Sequence, residues 1–106
     1  MQFKTLFLVH APDAEANKQR ATLETSIYKL FVVIVQNEPQ AVQVAQEMLE
    51  TEGIHSVLLC PGFTHAEVAT IQEAVKSRAG VYVARGDDPS AKIVQNVMEE
   101  VGWFRR

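Results

Sequence analysis

The run Phe31-Val32-Val33-Ile34-Val35 constrains the fold of this chain more than any other stretch. Val32, Val33, Ile34 and Val35 are β-branched, which stiffens χ1 and favours a pleated strand over a helix. A half-buried strand alternates apolar with polar residues. An unbroken apolar run instead suits a strand covered on both faces, the usual place of a parallel strand between helices. A strand over Leu30–Gln36 is therefore expected, and Phe3–Val9, Ser56–Cys60 and Val81–Ala84 read as three more. Helical periodicity follows each of the last three strands. The fold class implied is α/β: a three-layer sandwich with a mainly parallel four-stranded sheet assembled from flavodoxin/Rossmann-like βα units.

The helices carry start and stop signals. Between Pro39 and Glu52, Ala41, Val44, Ala45, Met48 and Leu49 form one apolar stripe, with Asn37 as cap, Gln40 completing a capping box and Gly53 as terminator. Thr64 and Glu67 form T-x-x-E before a second helix, whose buried stripe is Val68, Ile71 and Val75 and whose end is Gly80. A third begins around Asp88-Pro89, carries Ile93, Val94, Val97, Met98 and Val101, and stops at Gly102. Trp103 and Phe104 are then expected to fold back on the last turn. The connection Ala11–Lys29 lacks a sustained period; a short helix over Ala14–Gln19 and an extended arm over Arg20–Ile27 are both open. At nineteen residues it is long for a compact domain, where connections have a median of about 4–6 residues.

These elements use most of the 106 residues, so residues 1–106 form one domain. Acidic side chains outnumber basic ones 13 to 10, which argues against a nucleic-acid track of clustered Lys and Arg. No apolar stretch approaches the roughly 20 residues of a membrane span. Phe3–Val9 is too short and too polar for the apolar core of a signal peptide. The single cysteine, Cys60, excludes an intrachain disulfide. A cytoplasmic protein is expected, with no nucleic-acid or membrane partner.

A parallel α/β sheet binds ligands outside the carboxyl ends of its strands. That geometry selects His10 and Asp13 after the first strand, Asn37 and Glu38 after the second, Cys60 to His65 after the third, and Arg85 to Asp88 after the fourth. His55 falls at the opposite edge and reads as surface. At the Cys60–His65 turn, Gly62 permits positive φ or close backbone approach, and the following helix start suits an anion. Cys60 there reads either as a nucleophile or as a small buried hydrophobe. Arg85 could meet a ligand anion with Asp87 orienting it or acting as base; alternatively the two belong to a solvated turn. A zinc set of His10, Cys60, His65 and Asp87 lacks any close-spaced ligand pair, and no metal is expected. G-x-G-x-x-G, Walker, G-x-S-x-G and H-E-x-x-H patterns are all missing from the sequence, so no cofactor is expected.

At these residues the chain resembles a family of small bacterial proteins of unknown function, about 100 residues long. The family pattern has an Ala-Pro-Gly loop, His-Arg, Ile-Glu-Thr-Pro, Glu-Leu-Cys-Gly-Gly-Phe-Gly and Val-Arg-Phe-Asp. Its counterparts here are Ala11-Pro12-Asp13, Gln19-Arg20, Leu23-Glu24-Thr25-Ser26, Leu58-Leu59-Cys60-Pro61-Gly62-Phe63-Thr64 and Ala84-Arg85-Gly86-Asp87. Pro61 and Thr64 stand where the pattern has glycines, Gln19 where it has histidine, and Gly86 where it has phenylalanine. The resemblance implies that any shared site keeps Arg20, Glu24, Cys60, Arg85 and Asp87.

Two readings of function follow. In the first, Arg20, Glu24, Cys60, Gly62, Thr64, His65, Arg85 and Asp87 converge on a small anionic ligand, with Cys60, Asp87 and Glu24 the candidates for catalysis. In the second, the chain is a structural or interaction module, a homo-oligomer that buries Ala11–Lys29 and Trp103-Phe104 between subunits.

Overall fold

A computed structural model describes residues 1–105. In chain order the elements are β1 (Phe3–His10), β2 (Arg20–Glu24), β3 (Tyr28–Val35), α1 (Glu38–Thr51), β4 (Ser56–Leu59), α2 (His65–Val75), β5 (Gly80–Val83), α3 (Ser90–Glu100) and a short 3-10 turn at Trp103–Arg105. The sheet is five-stranded, in the order β2-β3-β1-β4-β5. β3, β1, β4 and β5 run parallel, and β2 pairs antiparallel with β3. The sheet is thus mixed rather than a four-stranded parallel one.

The extra strand comes from the connection that lacked a period. After His10 the chain crosses the end of β3, where the Ala11 amide donates to the Val35 carbonyl and the Ile34 amide to the Gln19 carbonyl. It then returns as β2 and turns through residues 25–27 into β3. The Thr25 hydroxyl accepts from the Ile27 and Tyr28 amides, an arrangement that closes the hairpin. Ala14 is buried and Ala16 packs on the core, so this segment is held within its own chain.

β3 sits between β1 and β2, and its register with β1 runs from Phe3 opposite Tyr28 to His10 opposite Val35. Side chains alternate across the sheet, so Leu6, Leu8, Phe31, Val33, Val35, Val57 and Leu59 share one face. There they are buried against Ala41, Val44, Ala45, Met48 and Leu49 of α1 and Ile71 and Val75 of α2. The opposite face carries no packed helix among the described residues. Leu30, Val32, Ile34, Phe7 and Leu58 remain partly exposed on it. The expected third layer is therefore missing from the described chain.

Local chemistry explains most boundaries. Asn37 caps α1 by accepting from the Gln40 amide, while the Gln40 side chain accepts from the Gln36 amide, one residue before the capping-box position. Gly53 follows the helix at φ +66°, as a left-handed C-terminal residue should. Thr64 and Glu67 form a complete capping box on α2. That helix ends not at Gly80 but at Lys76, with Lys76 and Ser77 both in the left-handed region. Gly80 instead opens β5.

α3 departs most from expectation. It spans Ser90–Glu100 and has no buried residue; Ile93, Val94, Val97 and Val101 are each more than half exposed. The apolar stripe is present, yet the helix does not lie on the sheet. The radius of gyration, 14.2 Å, exceeds the roughly 13 Å expected of a compact chain this long.

Candidate functional site

Direction of travel locates the site. From β1 the chain moves toward β2 and β3, whereas from β4 it moves through α2 toward β5. The carboxyl ends of the neighbouring strands β1 and β4 are therefore where the connections diverge, the position at which α/β sheets open a crevice. His10 ends β1 and Cys60 follows β4. The two are joined by a hydrogen bond from the His10 amide to Cys60 Sγ (3.4 Å).

A cavity of about 600 Å³ lies over this point. One side is His10, Pro12 and the Cys60-Pro61-Gly62 turn; the other is Val94 and Met98 of α3 with Trp103 and Phe104. Apart from His10 and Cys60 its wall is apolar, and among the described residues neither Lys nor Arg lines it. The Trp103 ring meets the His10 imidazole edge-on, with centroids 6.5 Å apart. A smaller cavity, about 180 Å³, adjoins it and shares His10 and Gly62; Gln36, Asn37, Glu38, Phe63 and Glu67 complete its lining.

The His10 proton can be assigned from its partner. Nε2 lies 2.9 Å from the Gln36 carbonyl oxygen, which can only accept, so Nε2 carries hydrogen. A neutral ring then leaves Nδ1 as a lone-pair acceptor, on the side facing Gly62. Gly62 has ordinary φ, not the positive φ allowed for in the sequence, and a Cβ there would stand 3.5 Å from Cys60 Sγ and 3.9 Å from His10 Nδ1. Its bareness keeps open the space between thiol and imidazole.

Glu38 supplies the second chemical feature. Both its carboxyl oxygens are shielded from solvent and have no hydrogen-bond partner among the described residues. Burial, and secondarily the charge of Glu67, raise its pKa above the ordinary carboxylate value. A neutral His10 thus turns an acceptor, Nδ1, toward Gly62 beside the apolar chamber, while the Glu38 carboxyl lines the smaller cavity.

The other sequence-selected residues are placed around this point unevenly. Cys60 and Gly62 line the main cavity. His65 and Arg85 line a neighbouring groove beyond Pro61. Arg85 donates to Asp87 through Nε (3.3 Å) and Nη2 (3.0 Å), and both side chains are largely exposed. Thr64 and Glu67 satisfy each other's amides, so the α2 start already holds a carboxylate where an anion was expected. Arg20 donates to the Ala16 carbonyl and pairs with Glu47 in a separate groove over α1. Glu24 lies at the far end of the sheet, opposite Lys29, and accepts from Gln2. The structure thus does not gather Arg20 and Glu24 with Cys60. His55 is exposed, and its Nδ1 accepts from the Lys4 amide.

Met98, Trp103 and Phe104 were legible as helix stripe and tail but not as cavity wall. Their position depends on how residues 84–89 lead the chain back over the sheet end, which has no local signature. Among the described residues no group of three or more His, Cys, Asp or Glu could hold a metal ion. Among those residues, too, no helix is long and apolar enough to cross a membrane.

A comparison with curated proteins found no match, and neither did one with solved structures. A family model described as a family of unknown function matches residues 3–99, from the start of β1 to near the end of α3. With nearly its whole length matched, including every wall residue of the cavity except Trp103 and Phe104, the chain belongs to that family of unknown function, DUF6506.

Proposed function

We propose that this chain is a small-molecule-binding domain whose ligand sits at the β1/β4 strand ends. The observation that carries the reading is the apolar cavity walled by Trp103, Met98 and Phe104 against His10, Cys60 and Gly62. Cavities of roughly 300–1,000 Å³ with a few convergent polar groups are the usual form of such sites. A neutral His10 imidazole offers an acceptor there, and no Lys or Arg among the described residues lines the wall. The ligand class is accordingly an apolar body bearing a hydroxyl or amine donor, in place of the small anion suggested by the sequence. A lone cysteine is in keeping with a cytoplasmic setting.

A matched panel of small aromatic and alicyclic alcohols, amines and carboxylates tests the reading by amide chemical shifts. Alcohols and amines are expected to perturb His10, Cys60, Gly62 and Met98 and the Trp103 indole, and carboxylates to do so less. Shifts confined to other regions, or no shift at millimolar concentration from any member, would overturn it.

A further inference from the structure

We infer that the open face of the sheet is a self-association surface, covered in solution by the same face of a second copy of this chain. Strand register assigns its residues: Phe3, Phe7 and Val9 from β1, Tyr28, Leu30, Val32 and Ile34 from β3, and Leu58 from β4, around the buried hydroxyl residues Thr5 and Ser56. Ala21 and Leu23 of β2 extend it on one side and Tyr82 of β5 on the other. No strand residue directed to this face is charged, whereas the helix-covered face includes Lys4, Lys29, Arg20 and Glu24 at its margins. Leu23 and Tyr82 are more than 60% exposed.

Three arguments favour a second copy. All-parallel sheets are almost always covered on both sides, and among the described residues the four parallel strands here have no helix on one. The described chain has no element left to cover it: α1 and α2 occupy the other face, and α3 stands off the sheet. Finally, the area is of the order that an interface needs. Five strands spaced about 4.8 Å apart, with a rise of about 3.3 Å per residue, make a face of roughly 24 by 20 Å. Its pleating and the protruding Leu23 and Tyr82 raise the accessible area above that projection, toward the roughly 800 Å² per partner of a stable interface. An uncharged face is also self-complementary: two-fold packing of sheets about 10 Å apart opposes no like charges.

Sedimentation velocity on the full chain between 1 and 200 µM tests the inference. A dimer is expected, and Leu23→Lys and Tyr82→Lys should each weaken it at least tenfold without changing the far-ultraviolet circular dichroism. These positions are exposed in the single chain, so the variants fold even if the dimer is lost. Val97→Lys, on α3 and away from the face, should leave the dimer unchanged. A chain that stays monomeric at 200 µM would overturn the inference, as would a dimer indifferent to both face substitutions. Dissociation by Val97→Lys would do so too, by assigning the contact to α3.

Discussion

Glu38 is the residue at which the site conflicts with stability. Its carboxyl is shielded, unpartnered and raised in pKa by burial and then by Glu67. An acid with a raised folded pKa binds its proton more tightly in the native chain than in the unfolded one. Native stability therefore declines as pH rises through the interval between the ordinary and the raised value, and the loss persists above it. Glu38→Gln keeps the shape but removes the titrating charge, so it should abolish that decline and raise stability at neutral pH relative to the parent chain. Urea unfolding from pH 4 to 8 checks both points; an unchanged pH slope would remove Glu38 as its source. Gly62→Ala is complementary. Its new methyl makes ordinary contacts with Cys60 and His10, so stability should change by less than about 0.5 kcal/mol. Perturbation of the His10 and Cys60 amides by the best alcohol or amine should nevertheless weaken severalfold.

At the scale of elements, caps and stripes behave as separable parts. Thr64→Ala breaks the capping box on α2 and should cost about 1 kcal/mol in chemical denaturation. Ile71→Ala, beneath the same helix, should cost about 2–5 kcal/mol because it empties a fully buried position. The caps and stripe of α1 and the capping box of α2 were legible in the sequence because their interactions lie within four residues. β3 was legible through its β-branched run, although the cover inferred on both faces is present on one. β2 was legible only as one of two alternatives, an extended arm over Arg20–Ile27, because Arg20-Ala21-Thr22-Leu23-Glu24 is short and exposed throughout, with a partner fixed only by the Thr25 turn. α3 was legible as a helix and misread as core: periodicity reports an apolar stripe but not what it faces. For the same reason Cys60 and Gly62 could be placed at the strand ends, whereas the separation of Arg20 from Glu24 required the direction of β2.

For the whole molecule, stability is unevenly spread. The core gathers β1, β3 and β4 against α1 and α2, while α3 has no buried residue and its end meets the strand ends through Trp103 against His10. Native-state hydrogen exchange should therefore rank β1 and β3 slowest and α3 fastest among the helices. Amides of Val97 and Val101 protected as strongly as those of Leu6 and Val33 would contradict that order. The short outer strands have a further consequence. β2 is five residues long, bounded by Arg20 and Glu24, and β5 is four. Unpaired backbone at a sheet margin templates fibrous growth, and brevity with terminal charge is how proteins blunt it. Neither margin offers enough free backbone to recruit strand after strand, so this chain can expose a broad apolar sheet and still stop at a closed, countable assembly.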